Sequence, residues 1–427
     1  MSTRTVREAP SARAGLGLRL RLTGQKAMTR LVAAAGDPFA RLLCSPWRDD
    51  PYPHHAALRA KGPVVRTKFG AYASTTHAMC DEVLRDRRFG VRNSDGEYAD
   101  PTLAAVDLQL SLLEQDPPDH SRLRRLAAPA FRPRRMAEFG SRIDQIAEEL
   151  LTEVAGRDEF DVVRDFAAPL PIRVICELMG LPPLDAQRLA QHGRVLSGAL
   201  DGVQSGRQLH RMRQSYAAVD ALFVDLIEQR RKSPGDDLVS DLLSAVDEDR
   251  LTGQELVQLC TLLLVAGFET TVNLIANGTR ALLNHPEQWA LLRADPSLAG
   301  AVVEETLRWD PPVQVTVRVA HEPVTLAGQD LPTDTPVVVL LASAGRDPAQ
   351  HPHPDDFDLT RSAEPDHLAF SSGIHYCLGA PLARLEAESA FRALVTHLPN
   401  LTFHPTRTPT PRPTTVIHGL DTLPTTT

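Results

Sequence analysis

The chain has 427 residues, 42% of them hydrophobic and 23% charged, enough for a sizeable buried core, and its formal net charge of -8 argues against nucleic acid as the main partner, since phosphate recognition needs a clustered positive surface. Five scattered cysteines, Cys44, Cys80, Cys176, Cys260 and Cys377, contain no CxxC pair, which argues against a disulfide framework and a zinc site and suits the reducing cytoplasm. No uninterrupted apolar run reaches about 18 residues, and the N-terminus lacks an apolar core with a cleavage site, so neither a transmembrane segment nor export is expected.

Residues 1–45 form a basic extension, whose first 36 residues carry Arg4, Arg7, Arg13, Arg19, Arg21, Lys26 and Arg30 against the single acid Glu8. It reads as a mobile tail followed by a short surface helix over Met28–Leu43, or as an arm in weak peripheral contact with an anionic membrane. Residues 46–427 read as one large domain, because no linker interrupts Pro51–Thr422. Pro51–Lys61 is a predicted helix, and Val64–Thr75 a hairpin turning at Gly70. Apolar residues three and four apart predict helices over Arg134–Val154 and Arg207–Arg231. The longest, Thr252–Asn284, opens on Thr252 with Glu255 three residues later, and would span about 50 Å at the helical rise. Strands are expected near Val317–Ala327, Thr335–Leu341 and Thr414–Thr422, with a helix over Leu378–Leu398. The fold class is mainly α with small β-sheets.

Cys377 lies in Phe370-Ser-Ser-Gly-Ile-His-Tyr-Cys-Leu-Gly-Ala380, an apolar, glycine-punctuated stretch before a helical pattern. Sulfur at a helix N-terminus meets free amide N–H groups and the positive end of the dipole, which favour a thiolate. A lone cysteine is more often a buried structural residue, so the reading depends on other motifs. Within the longest helix, Leu264-Val-Ala-Gly-Phe-Glu-Thr-Thr271 interrupts an apolar run with a glycine, an acid and two hydroxyls. A mid-helix Gly costs about 1 kcal/mol relative to Ala, so propensity does not explain it. Alone, the stretch reads more readily as close helix packing beside a solvent-facing Glu-Thr pair. Glu305-Thr-Leu-Arg308 places an acid and a guanidinium on one helix face, and His120 and Arg124 share a face at i,i+4.

Together and in this order, these segments resemble the cytochrome P450 family, whose cysteine loop reads Phe-Gly-x-Gly-x-(His/Arg)-x-Cys-x-Gly; the likeness runs from about Pro51 to the C-terminus, and Ser371 stands where the first glycine is common. The resemblance implies the cytochrome P450 fold and a haem-thiolate monooxygenase. Such an enzyme inserts one oxygen atom of O2 into a C–H bond, by hydroxylation or epoxidation, of a lipophilic natural product such as a polyketide, terpenoid or steroid. It implies heme b with Cys377 as the iron (metal) ligand, and His120, Arg124, Arg318 and His375 as partners of the propionates. Phe370, Ala266, Gly267 and Gly379 would lie against the macrocycle. Glu269 and Thr270 would be catalytic, supplying protons for dioxygen activation from a bulge in the long helix. Glu305 and Arg308 would be structural; their usual third partner, an arginine before Phe357, is replaced by Asp356, leaving Arg346 or Arg361 for that place. Substrate contacts would come from Val265, Phe268, Gln314, Val416 and Ile417, with the segments Tyr98–Leu113 and Gln191–Val203.

Because the chain carries no fused flavin or iron–sulfur domain, NAD(P)H would act indirectly through a ferredoxin reductase and a ferredoxin. The ferredoxin would dock at Arg122, Arg125, Arg132, Arg134 and Arg135. The protein is expected to be a cytoplasmic monomer. Two alternatives remain: a peroxide-dependent fatty-acid peroxygenase, which shares the thiolate without relying on the Glu269–Thr270 pair, and a non-catalytic haem-binding protein, against which that pair speaks.

Overall fold

Residues 12–97, 111–154, 156–182, 186–248, 250–362 and 366–427 are described by the computed structural model. The helices are α1 Ala12–Ala34, α2 Pro38–Leu42, α3 Tyr52–Arg59, α4 His77–Arg85, α5 Asp119–Ala127, α6 Pro133–Val154, α7 Pro169–Met179, α8 Ala186–Ser197, α9 Gly206–Lys232, α10 Leu238–Asp247, α11 Gly253–Asn284, α12 Pro286–Ala294, α13 Ala299–Trp309, α14 Leu341–Gly345 and α15 Ala380–His397. The strands are β1 Val64–Arg66, β2 Tyr72–Ser74, β3 Phe89–Gly90, β4 Glu159–Asp161, β5 Thr316–Ala320, β6 Val324–Leu326, β7 Gln329–Leu331, β8 Pro336–Val339, β9 Thr402–Phe403, β10 Thr410–Pro411, β11 Leu420–Thr422 and β12 Pro424–Thr426.

α11 is the spine. Thr252 caps it: its hydroxyl accepts from Glu255 N, while the Glu255 carboxylate accepts from Thr252 N at 2.9 Å, closing a capping box. From there the helix runs through the main apolar core, packed against α7, α8, α9, α13 and α15. It is long and apolar enough to cross a bilayer, but most of it is buried inside the protein. α6 buries Met136, Ile143, Ile146, Leu150 and Val154, the face given by its period, and packs on α15.

The larger sheet has the order β1-β2-β8-β5-β3 and covers a second apolar cluster. β2 pairs parallel with β8, and β5 antiparallel with β8 in a register that sets Arg318 opposite Val337. That register turns Arg318 inward at 4% exposure and Val317 outward at 43%, the reverse of ordinary burial.

Three expectations need correction. The N-terminal helix is α1, not Met28–Leu43: Gly36 at φ +93 breaks the run, and Asp37 caps α2 by accepting from Ala40 N at 2.9 Å. Of Thr414–Thr422 only the end is a strand, because Asp201 captures the N–H groups of Thr415 and Val416 and holds a turn there. The helix after Cys377 starts at Ala380, with Pro381 fitting its first turn.

Candidate functional site

The cysteine loop is built on two left-handed residues. Gly373 has φ +67, and a Cβ there would sit 2.5 Å from Leu84 O, so only glycine fits. Ser371, the departure from the family pattern, also has a positive φ of 64, which explains why glycine is common at that place. Cys377 N donates to Phe370 O at 2.8 Å, tying the ends of the loop together. Burial pushes the Cys377 thiol pKa up, against the N–H of Gly379, the Arg124 cation, the N–H of Ala380 and the Arg384 cation, which pull it down. A cation bound at the sulfur would tip this balance to thiolate. A Cβ on Gly379 would meet no atom within 4 Å, so the backbone beside the sulfur borders open space.

Four basic groups converge next to the loop. The His120 and His375 rings lie 4.2 Å apart, and His120 Nδ1 and Nε2 and His375 Nε2 are buried with no hydrogen-bond partner among the described residues. Burial, then the charges of Arg318, His120 and Arg124, pushes the His375 pKa down to about 3. Among the described residues Arg318 donates only within its own strand, to Thr316 Oγ1 at 3.3 Å and Val317 O at 2.9 Å, and burial pulls its pKa down to about 10. Arg124 Nη2 donates to Tyr376 O at 2.6 Å. Among the described residues no carboxylate forms an ion pair with these groups, Asp116 acting on Arg318 and His120 only at longer range, and a buried Arg318, a half-buried Arg124 and orphaned ring nitrogens call for an anionic guest. The two propionates of haem, with Cys377 beneath the iron, fit this donor set.

On α11, Ala266 is exposed within an otherwise buried run and Gly267 is partly exposed; a Cβ on Gly267 would find its nearest neighbour, Ile175 Cδ1, at 4.0 Å. The expected bulge is absent, for α11 is continuous from Gly253 to Asn284. Instead, Thr270 Oγ1 donates to Ala266 O at 2.7 Å and Thr271 Oγ1 to Gly267 O at 3.0 Å, a pattern that bends helices without breaking them. Glu269 does not face solvent. It is 1% exposed and forms a buried ion pair with Arg412, a residue the sequence reading missed because only the C-terminal turn brings it to α11.

The Glu305–Arg308 pair is fully buried. Arg308 Nε and Nη2 each donate to the Glu305 carboxylate at 2.7 Å, and Arg308 also holds Gly345 O, Pro354 O and Asp356 O. Arg361 is the third member, its Nε donating to Glu305 Oε1 at 3.2 Å. Arg346 instead lies over the Tyr52 and Trp309 rings, at 3.5 and 4.2 Å.

The substrate segments are less open than expected. Val265, Phe268, Gln314 and Ile417 are buried; Phe268 packs toward Gly193, and Ile417 bridges Val313. Val416 keeps partial exposure, and residues 98–110 of the predicted pocket loop lie outside the described residues. Within the arginine cluster, Arg122 pairs with Asp119 and Glu255, Arg134 with Glu138, and Arg135 with Asp236; Arg125 and Arg132 are exposed. The positive surface is therefore smaller than five cations suggest.

Comparison with known proteins gives a consistent picture. The family model described as Cytochrome P450 matches residues 203–424. The chain is 42% identical over 363 residues to the cytochrome P450 monooxygenase PikC of Streptomyces venezuelae, covering 82% of this chain and 85% of that one. It is 44% identical over 288 residues to the 6-deoxyerythronolide B hydroxylase of Saccharopolyspora erythraea, covering 67% and 70%. The structure of P450BioI in complex with hexadec-9Z-enoic acid ligated acyl carrier protein superposes with a TM-score of 0.83 at 36% identity, covering 90% of this chain and 100% of that one.

Proposed function

From the premise that this chain belongs to the cytochrome P450 family and is a monooxygenase of it, we propose that it hydroxylates a lipophilic natural product in the cytoplasm, with electrons from a separate ferredoxin and its reductase. The observation that carries the reading is the convergence of Arg318, Arg124, His120 and His375 beside the Cys377 loop, with ring nitrogens of both histidines buried and lacking a hydrogen-bond partner among the described residues. Haem, when bound, supplies the redox chemistry by which one atom of O2 enters a C–H bond, with the sulfur ligand feeding electron density to the iron.

The protein's own residues supply the rest. Burial opposes the Cys377 anion, while the N–H groups of Gly379 and Ala380, with Arg124, favour it, so that a bound iron would complete the shift to thiolate. Arg318, Arg124, His120 and His375 receive two carboxylates and fix the orientation of the guest. The Thr270 hydroxyl spends its hydrogen on Ala266 O, which leaves its lone pairs to accept a hydrogen bond from a water proton. Glu269, held against Arg412, directly precedes Thr270 in the chain and is the acid suited to relay a proton to that hydroxyl. Ala266 and Val416 offer small apolar surface, which suits a bulky, uncharged substrate. The likeness to a 6-deoxyerythronolide B hydroxylase supports a macrocyclic or polycyclic substrate of that kind. The exposed Arg125 and Arg132 on the cysteine side suit an acidic electron donor.

The test is Thr270→Ala in the haem-loaded enzyme, supplied with ferredoxin, reductase and NAD(P)H and a substrate chosen by its spectral binding shift. Oxygen consumption should persist while product per O2 falls about 100-fold, the lower end of acid–base contributions. Unchanged coupling would remove Thr270 from proton delivery.

A further inference from the structure

Adjacent to the Glu305 cluster, the preceding residue builds a second one that faces the other way. Glu304, on α13, takes the guanidinium of Arg384, on α15, in a two-point grip: Nε donates to Oε1 at 2.7 Å and Nη2 to Oε2 at 3.0 Å. His367 Nδ1 accepts from Ala369 N at 3.3 Å, which places the ring proton on Nε2, and that nitrogen lies 3.2 Å from Glu304 Oε2. Against a burial penalty that raises it, the His367 bond and the Arg384 fork hold the Glu304 pKa down to about 2. Glu304, Asp366 and His367 are close enough together to hold a cation, but the guanidinium already supplies the positive charge there.

The remaining contacts of Arg384 point at the cysteine loop from both ends. Its Nη1 donates to Tyr376 Oη at 3.2 Å, and Tyr376 directly precedes Cys377. Its guanidinium carbon lies 4.7 Å from the centroid of the Phe370 ring, and Phe370 O accepts from Cys377 N. Phe370 and Tyr376 meet edge to face at 6.4 Å between centroids.

We propose that Arg384 is a positioning residue for the Cys377 ligand: its fork, anchored on Glu304 and His367, fixes Phe370 and Tyr376 around the sulfur, and its charge stabilises the electron-rich thiolate. The inference rests on Cys377 being the haem ligand and goes beyond it by assigning the control of that ligand to named residues outside the loop. Charge and geometry separate by substitution. Arg384→Gln removes a cation near the sulfur and shifts the ferric/ferrous equilibrium against reduction, by about tenfold, or about 59 mV more negative for one electron. Glu304→Gln removes the compensating anion and shifts the potential in the positive direction. Arg384→Lys keeps the charge, so its potential stays near wild type, but loses the fork. Its carbon monoxide complex therefore passes faster from the thiolate-ligated to the thiol-ligated absorption band.

The experiment is spectroelectrochemical titration of the haem-loaded full chain and the three variants, with the decay of the carbon monoxide band followed in parallel. Opposite potential shifts for Arg384→Gln and Glu304→Gln, with faster band decay in Arg384→Lys, support the inference. Equal potentials and equal decay across all four proteins overturn it. A wild-type protein that never gives the thiolate band would instead overturn Cys377 ligation itself, so the two failures are distinguishable.

Discussion

Replacing Arg318 by Leu separates two contributions of opposite sign. Arg318 is 4% exposed, and burial pulls its pKa from 12.5 down to about 10. That drop corresponds to about 3 kcal/mol of unfavourable charge burial. For a base with a lowered pKa, the cost is fully present below about pH 10 and disappears as pH rises past the unfolded value. A Leu at this inward position of β5 removes the charge and keeps apolar contact with the sheet, so the haem-free protein should gain up to about 3 kcal/mol. In the loaded protein the same change deletes a charge-assisted hydrogen bond to a propionate worth about 1.5–3 kcal/mol. Haem retention should then fall by about 10- to 150-fold. The assay pairs urea unfolding of the haem-free protein with haem transfer from the loaded protein to an excess of an apo-haemoprotein scavenger. An Arg318→Leu variant of lower haem-free stability and unchanged haem transfer would refute the assignment on both sides.

Two further outcomes follow from buried charge. Arg412→Leu should destabilise the protein by about 3–5 kcal/mol by stranding the Glu269 carboxylate, whereas the double change Glu269→Gln with Arg412→Leu should recover most of it; strictly additive losses in denaturant titrations would show that the pair is not coupled. His55 is 1% exposed and burial pushes its pKa down to about 3, so the folded protein keeps it neutral while the unfolded chain takes up a proton below about pH 6.5. Its contribution is lost as pH falls from 6.5 toward 3, at about 1.4 kcal/mol per pH unit; His55→Phe should flatten that part of the stability profile, and an unchanged slope between pH 7 and 5 would exclude His55 as its source.

Much of the architecture was legible in local pattern. The period of Met136, Ile143, Ile146 and Leu150 marked the buried face of α6, and the Thr252–Glu255 pair marked the start of α11, because both signals depend on neighbours within one or two turns. The cysteine loop was legible for a similar reason: Gly373 and Cys377 are set by a local turn, and Ser371 marked the one departure. The N-terminal helix was misplaced because Gly36 and Asp37 outweighed a weak apolar pattern.

The amino-acid order alone determined the long helices, the hairpin at Gly70 and a thiol delivered to a helix start, since short-range periodicity, capping and turn chemistry govern each of these. Only the tertiary structure decided that Arg361 rather than Arg346 completes the Glu305 cluster, that Glu269 faces Arg412, and that Arg384 reaches Phe370 and Tyr376. In each case the partners are distant in sequence or sit on separate elements, and a buried charge takes whichever counter-charge the packing of those elements brings within reach.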